Sequence, residues 1–249
     1  MSDHDRLSRI ETLWSVVQRA HGEDSAECQS AQRDLLDRYG FAVRRYLQAA
    51  LRDESAADDV FQEFALAFVR GDYHRADPER GRFRSFLKTI LFRLVADYRR
   101  AQYRRDRPAE IEDQVNVVAR DEREQMDAEF AAAWRESLLG RTWARLEKAE
   151  QQTGKPHFRV LRCRVDHPQA SSSELAELLT DQLGKPVSAA NARVLIHRAR
   201  EKFANLLLDE ISPSLDDPTP DRLEEELIDL GLIEYCRAVL EERRRESAN

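Results

Sequence analysis

The chain has 249 residues and a formal net charge of −7, with 35% of its residues charged and only eight glycines and eight prolines. That length admits one large domain or two small ones, and the scarcity of turn formers favours helices over strands. The mildly acidic total argues against a protein that coats DNA indiscriminately. The sign of the charge alternates in blocks, however, and leaves room for a local basic footprint. Cys28, Cys163 and Cys236 are odd in number, far apart and without CxxC or Cys/His spacing. Neither zinc nor a disulfide frame is expected, and the thiols read as isolated ones in a reducing compartment. The opening MSDHDRLSRIETLWSVVQ lacks the basic-then-apolar order of a signal peptide. No run approaches the roughly 18 apolar residues of a membrane span. A cytoplasmic protein without membrane insertion is expected.

In chain order, Leu7, Ile10, Leu13, Trp14, Val17 and Ala20 mark a helix over residues 6 to 20, ended by Gly22. A second helical run spans about Ser25 to Arg52, with Leu35, Leu36, Tyr39, Val43, Tyr46, Leu47 and Ala50 as its core face and Gly40 as a point where it bends or splits. SAADDVFQEFALAFVRG follows, with Ser55 and Asp58 as a capping-box variant. Val60, Phe61, Phe64, Ala65 and Phe68 point one way, and Asp58, Asp59, Gln62 and Glu63 largely the other. Acids in a first helical turn ordinarily stabilise the helix start through the backbone dipole, so their pattern alone does not require a partner.

GDYHRADPERG then reads as a loop punctuated by Gly71, Pro78 and Gly81. From Arg82 to about Asp106 a helix is expected, with Phe83, Phe86, Leu87, Ile90, Leu91, Leu94, Val95 and Tyr98 as its apolar stripe. Between Arg82 and Arg107 nine cations meet only Asp97 and Asp106. Cations neutralise phosphates and exposed rings stack on bases, so this run has the chemistry of a nucleic-acid surface. Its candidate contacts are Tyr73, Arg82, Arg84, Lys88, Arg99, Arg100, Arg104 and Arg105, and Tyr98 and Tyr103 are further stacking candidates. Pro108 ends the helix. The acidic stretch after it lacks a sustained period and reads mainly as a flexible linker over 108–128.

Helical pattern resumes with Phe130, Trp134, Leu138, Leu139, Trp143 and Leu146 and ends near Gly154-Lys155-Pro156. A short helix covers His157 to Val165. Two helices then flank Gly184-Lys185-Pro186, the first opened by a Ser171/Glu174 capping box and the second capped by Ser188. Ala192, Ile196 (or Leu195), Ala199, Phe203 and Leu206 form the second helix's stripe, while Arg193, His197 and Arg200 fall at i, i+4 and i+7 on another face, with Arg198 and Lys202 alongside. Two helices joined by a Gly-containing turn, the second basic and amphipathic, fit a helix-turn-helix. From Ser212 the composition turns acidic: SPSLDDPTPDR reads as a linker, and Leu223, Leu227, Leu230, Ile233 and Leu240 as the docking face of a final helix. No Gly-rich phosphate loop, metal-ligand spacing or nucleophile elbow is present, so neither an enzyme nor a cofactor is expected.

ADDVFQEFALAF, GRFRSFLKTILFRLVADYRR and SAANARVLIHRAREKF, in that order, resemble the extracytoplasmic-function (ECF) sigma factors of bacterial RNA polymerase. TLWSVVQRA and RADPERGRFRSFL further resemble a subgroup abundant in planctomycete-type bacteria. The resemblance implies an all-α chain: region two over 1–107, an acidic linker over 108–128, a region-four helix-turn-helix over 129–211 and an acidic extension over 212–249. It implies that Asp58, Asp59, Gln62 and Glu63 dock on core RNA polymerase. It also implies that the Gly71–Arg82 loop and the basic helix open the minus-ten element of promoter DNA. Ser188, Asn191, Arg193, His197, Arg198 and Arg200 match the helix that reads the minus-thirty-five element, with Asn191 and Arg193 toward base edges and the last three toward phosphates. An anti-sigma factor is the family's usual regulator, with a kinase partner as another. The turn QLGKPVSAAN is longer than the family's usual one, and the extension lies beyond its two-domain plan; packing on region four or occluding its basic surface are the roles expected for it. A helix-turn-helix regulator acting without polymerase, and a helical adaptor, are the competing readings.

Overall fold

A computed structural model describes residues 25–70, 72, 83–106, 120–215 and 217–247. The first expected helix and the loop carrying Tyr73 and Arg82 lie outside the described residues. Among the described residues the chain is all-α: α1 (Ser25–Leu51), α2 (Glu54–Arg70), α3 (Phe83–Asp106), α4 (Arg120–Thr153), α5 (His157–Asp166), α6 (Ser172–Leu183), α7 (Ala189–Ile211), α8 (Pro220–Asp229) and α9 (Ile233–Ser247), with a 3-10 turn at Ser212–Ser214. They form two compact units. Of the described residues, the N-terminal unit takes those from Ser25 to Ser137, with Pro213–Pro218, and the C-terminal unit takes Leu138–Ser212 and those from Thr219 onward.

In the N-terminal unit α1, α2 and α3 pack on one another. Tyr39, Val43, Tyr46 and Leu47 of α1 are buried with Val60, Phe64 and Phe68 of α2 and Phe83, Leu87, Leu91 and Val95 of α3. Gly40 neither splits nor ends α1. A Cβ at that position would lie 3.5 Å from the Phe61 ring, an ordinary contact distance, so the glycine marks a close approach of α2. The linker expected over 108–128 is corrected at its end: residues 120–128 are helical and belong to α4. The reason is the series Met126, Phe130, Ala133 and Trp134, all buried at i, i+4, i+7 and i+8. Trp134 stacks on Tyr39 at 4.7 Å between ring centroids and lies 6.4 Å from Phe83. Phe130 meets Tyr46 edge-on at 5.5 Å. Contacts of this kind add to the area buried by the rings themselves. Nothing within the isolated window announces them, because the partners lie in α1 and α3.

In the C-terminal unit α5, α6 and α7 pack mutually, and α9 packs on α7. The Ser171/Glu174 capping box forms in full, and Gly184 ends α6 in the left-handed region at φ 63°. Ser188 caps α7 by accepting from the Asn191 N–H, so the long turn ends there and the helix begins at Ala189. The Val187 N–H donates to Thr180 Oγ1 at 3.0 Å, which ties the turn back to α6. Trp143 packs against Phe158 and Phe203. Cys163 and Cys236 are free and buried, and burial pushes the Cys236 thiol up to about 12.

The C-terminal extension differs from the sequence expectation in two places. Pro220, read as linker, is the first residue of α8, where its missing N–H costs nothing, and Thr219 caps the helix by accepting from the Arg222 N–H. Gly231, at φ 65°, separates α8 from α9, so there are two helices where one was expected. Arg243 donates to Asn205 Oδ1 at 3.1 Å and Asp209 at 2.9 Å on α7, and Arg244 pairs with Asp221 and Glu224 on α8. Arg243 and Arg244 thus hold α9 to its neighbours, while Arg245 pairs with Glu241 within α9.

Glu210 is one of the buried carboxylates of this unit, with Glu226, and accepts from Arg141 Nε at 3.0 Å and Arg145 at 2.9 Å. Burial alone would raise its pKa; the hydrogen bonds and charges of the two arginines outweigh that and hold it below the ordinary 4.5. A depressed folded-state pKa stabilises the fold above the unfolded value and ceases to do so as pH falls through the folded one. Glu210→Gln is therefore expected to lower stability at pH 7 by about 1–2 kcal/mol, discounted for the partial exposure of the arginines. In urea denaturation across a pH series, the gap between wild type and variant should close below pH 4.5. A gap independent of pH would show that the glutamate is not ionised in the fold.

Candidate functional site

Three outward-facing surfaces collect the candidate residues. On α2 the helix start lies earlier than Ser55: the Ala56 N–H donates to Asp53 Oδ1 at 3.1 Å, and Glu54 is the first helical residue. Asp53 and Glu54 therefore supply the cap and the dipole-compensating charge. Asp58 and Asp59 stand beyond the first turn and are not explained by it. Asp58 pairs with Arg44 of α1 at 3.0 Å, and that guanidinium lies 4.2 Å over the Phe61 ring. Asp59, Gln62 and Glu63 are exposed. At about 100° per residue they surround Leu66, which is 53% exposed on the same face. The four expected acidic-helix residues thus divide, with Asp58 turned toward α1 and three presented outward. Leu66 was missed; the available signal was an apolar residue out of register with the Val60, Phe64, Phe68 stripe.

On α3 the cations also divide. Lys88 pairs with Asp127 of α4 at 3.1 Å, and Arg99 donates to the Ala50 carbonyl at the end of α1 at 2.9 Å. Both flank the buried stripe and reach sideways to neighbouring helices. Arg99 also lines, with Tyr98, Gln102 and Arg52, a cleft of about 470 Å³. Arg100 pairs with Asp97 one turn back, Arg84 is half-buried, and Arg93, Arg104 and Arg105 are exposed. Arg93, Arg100 and Arg104 fall within a narrow angular band opposite the core. By helical rise they span about 16 Å, which suits successive phosphates of one strand. Arg93 was not among the sequence candidates. Its signal was the spacing i, i+7, i+11. Phe83 is buried, whereas Phe86 and Phe92 are only half-buried.

On α7 the first half is open. Asn191, Arg193, His197, Arg198 and Arg200 are all exposed, and their side chains make no hydrogen bond or ion pair to another described residue. Ser188 is occupied in capping. The outermost row is Ala190, Val194, His197 and Glu201, with Arg193 and Arg200 on one flank and Arg198 and Lys202 on the other. Burial first, then the charges of Lys155, Lys202 and Arg198, lower the pKa of His157 at the start of α5. Lys155 and Lys202 thus lie near enough to His157 to extend the basic surface, Lys155 beyond the residues expected from the sequence. Farther along α7 the same helix face is closed: Ala204 and Leu208 are buried where α9 packs. The extension packs on α7 beyond the basic face and leaves that face uncovered.

Among the described residues no cluster of three or more His, Cys, Asp or Glu side chains has metal-binding geometry, and no helix is long and apolar enough to cross a membrane. The surfaces are suited to binding: one acidic with an apolar centre, and two cationic.

Residues 35–105 match the family model described as Sigma-70 region 2. The matched segment runs from α1 through α2 to the end of α3, so it contains the acidic face and the arginine row together. That similarity supports a sigma-factor role in promoter recognition and transcription initiation, with core RNA polymerase and promoter DNA as the partners it implies. No curated protein and no solved structure matches the chain.

Proposed function

We propose that this chain is an ECF-type sigma factor, which binds core RNA polymerase in the cytoplasm and directs promoter-specific initiation. The observation that carries the reading is the coincidence of the region-two similarity with helices that face outward in two opposite electrostatic senses. Asp59, Gln62, Glu63 and Leu66 form the polymerase-docking face. Asp58 supports it by holding Arg44 against Phe61. Arg93, Arg100 and Arg104, with the segment around Tyr73 and Arg82, track the single strand at the minus-ten element, where melted bases need both cations and rings. The helix-turn-helix of α6 and α7 reads the minus-thirty-five element, the exposed first half of α7 entering the major groove. The region-two part extends to Ser137, and the region-four part begins with the second half of α4. The subgroup is of the planctomycete type, and regulation falls to an anti-sigma factor or a kinase.

Run-off transcription with bacterial core polymerase on a promoter library tests the reading: a discrete set of start sites that depends on the added chain is the expected result. Binding of duplex DNA with no stimulation of core polymerase would instead identify a regulator that acts without it. The cation assignment has its own measurement. Replacing Arg93, Arg100 and Arg104 together by Ala should weaken binding of the polymerase complex to a bubble-containing promoter. Its plot of log affinity against log salt should flatten by about 2, at ~0.7 per single-strand phosphate lost. An unchanged slope would remove these arginines from the DNA track.

A further inference from the structure

We propose that Val194 is a thymine reader: its methyl groups meet the 5-methyl group of a thymine in the upstream promoter element bound by α7. The inference rests on the sigma-factor reading above and deepens it by naming a base. Val194 is 45% exposed. Single exposed apolar residues are common on protein surfaces and signify little by themselves. This one differs in its surroundings. It stands in the middle of the outermost row of α7, between Arg193 and Arg200 on one flank and Arg198 and Lys202 on the other. A helix with cations on both flanks seats in a groove bounded by two phosphate strands, and the row between them then faces the base edges.

At that row the chemistry is sparse. Ala190 and Val194 offer only methyl groups, and His197 follows one turn later. In the major groove thymine alone among the four bases presents a methyl group, so an apolar side chain there selects thymine by contact. Valine suits the task because branching at Cβ restricts its rotamer in a helix, and little side-chain freedom is lost on contact. Glu201 closes the row with a negative charge. It sets the far limit of close approach to the phosphates, and the base-reading segment is accordingly Ala190 to His197.

The experiment uses the full chain with core polymerase on a promoter selected from a random library. Each thymine of the upstream element is replaced in turn by deoxyuridine, which removes the methyl group and keeps every hydrogen-bonding edge. One position is expected to lose about 3–5-fold in affinity, the worth of a buried methyl group. With Val194→Ala that ratio of thymine to deoxyuridine should fall to about 1, while Val194→Ile retains it. Sensitivity to deoxyuridine at no position, or sensitivity that persists in Val194→Ala, overturns the assignment while leaving the sigma-factor reading intact. Failure to select any promoter with core polymerase overturns that reading and the assignment with it.

Discussion

Asp59→Lys combined with Glu63→Lys is expected to abolish binding to core RNA polymerase while leaving the fold intact. Both side chains are exposed, make no ion pair or hydrogen bond to other described residues, and lie beyond the cap of α2. Their reversal therefore takes nothing from the helix. At an interface each places a cation where the partner presents one, and truncating even one desolvated charge typically costs about 2–5 kcal/mol. A loss of at least ~100-fold in affinity is the expected outcome, read by fluorescence anisotropy or competition against another sigma factor. Thermal melting of the double variant should match wild type. Asp58→Lys is a poorer probe, because it also frees Arg44 from its 3.0 Å pair and sets two cations face to face across α1 and α2. Wild-type affinity in the double variant would move the docking face elsewhere and leave α2 as a merely solvated helix. Leu66→Ala, tested in the same assay, should show an intermediate loss, since apolar anchors ringed by polar groups concentrate binding energy.

Deleting residues 212–249 is expected to unfold the C-terminal unit rather than to release it from inhibition. Leu206, Leu207, Leu208 and Ile211 of α7 are buried on more than one side of the helix. Only a helix covered around most of its girth shows that pattern, and α9 supplies part of the cover. Re-exposing even two leucines costs about 3–6 kcal/mol, a large share of the 5–15 kcal/mol that holds a typical domain together. Loss of the hydrogen bonds from Arg243 to Asn205 and Asp209 adds to that. The truncated chain should lose its cooperative thermal transition for this unit, bind a hydrophobic dye, and fail to bind the upstream promoter element. A truncated chain that melts as sharply as wild type and binds promoter DNA more tightly would show the extension to be a removable cover. The exposure of Asn191, Arg193, His197, Arg198 and Arg200 with the extension in place argues against that outcome.

Much of the architecture was legible in the chain because its signals are local. Apolar spacing marked α1, α2, α3 and α5 to within a residue or two, and Ser171, Glu174 and Ser188 announced the caps they form. Misreadings arose where a local signal competed with a distant one. Ser55 resembles a cap, but Asp53 lies two residues earlier, immediately before the first helical residue, and takes the role. Residues 120–128 carry little apolar character of their own and become helical as the first turns of a segment that Phe130 and Trp134 anchor on other helices.

By itself, the sequence determined that the chain is helical, where charge concentrates and which faces are apolar, since each depends on neighbours three or four residues away. Tertiary structure decided which charged side chains remain available. Lys88 and Arg99 look like their neighbours in the linear run, yet one meets a carboxylate 39 residues away and the other a carbonyl 49 residues away. Arg93 and Arg104, a few positions along the same helix, face solvent. The same sorting turns Asp58 toward α1 and leaves Asp59 and Glu63 outward, and it closes α7 at Leu208 while leaving Val194 open. A side chain's type and helical angle are properties of the strand of sequence that carries it. Its freedom to meet another molecule depends on which distant segment packs beside it, and that is settled only when the core closes.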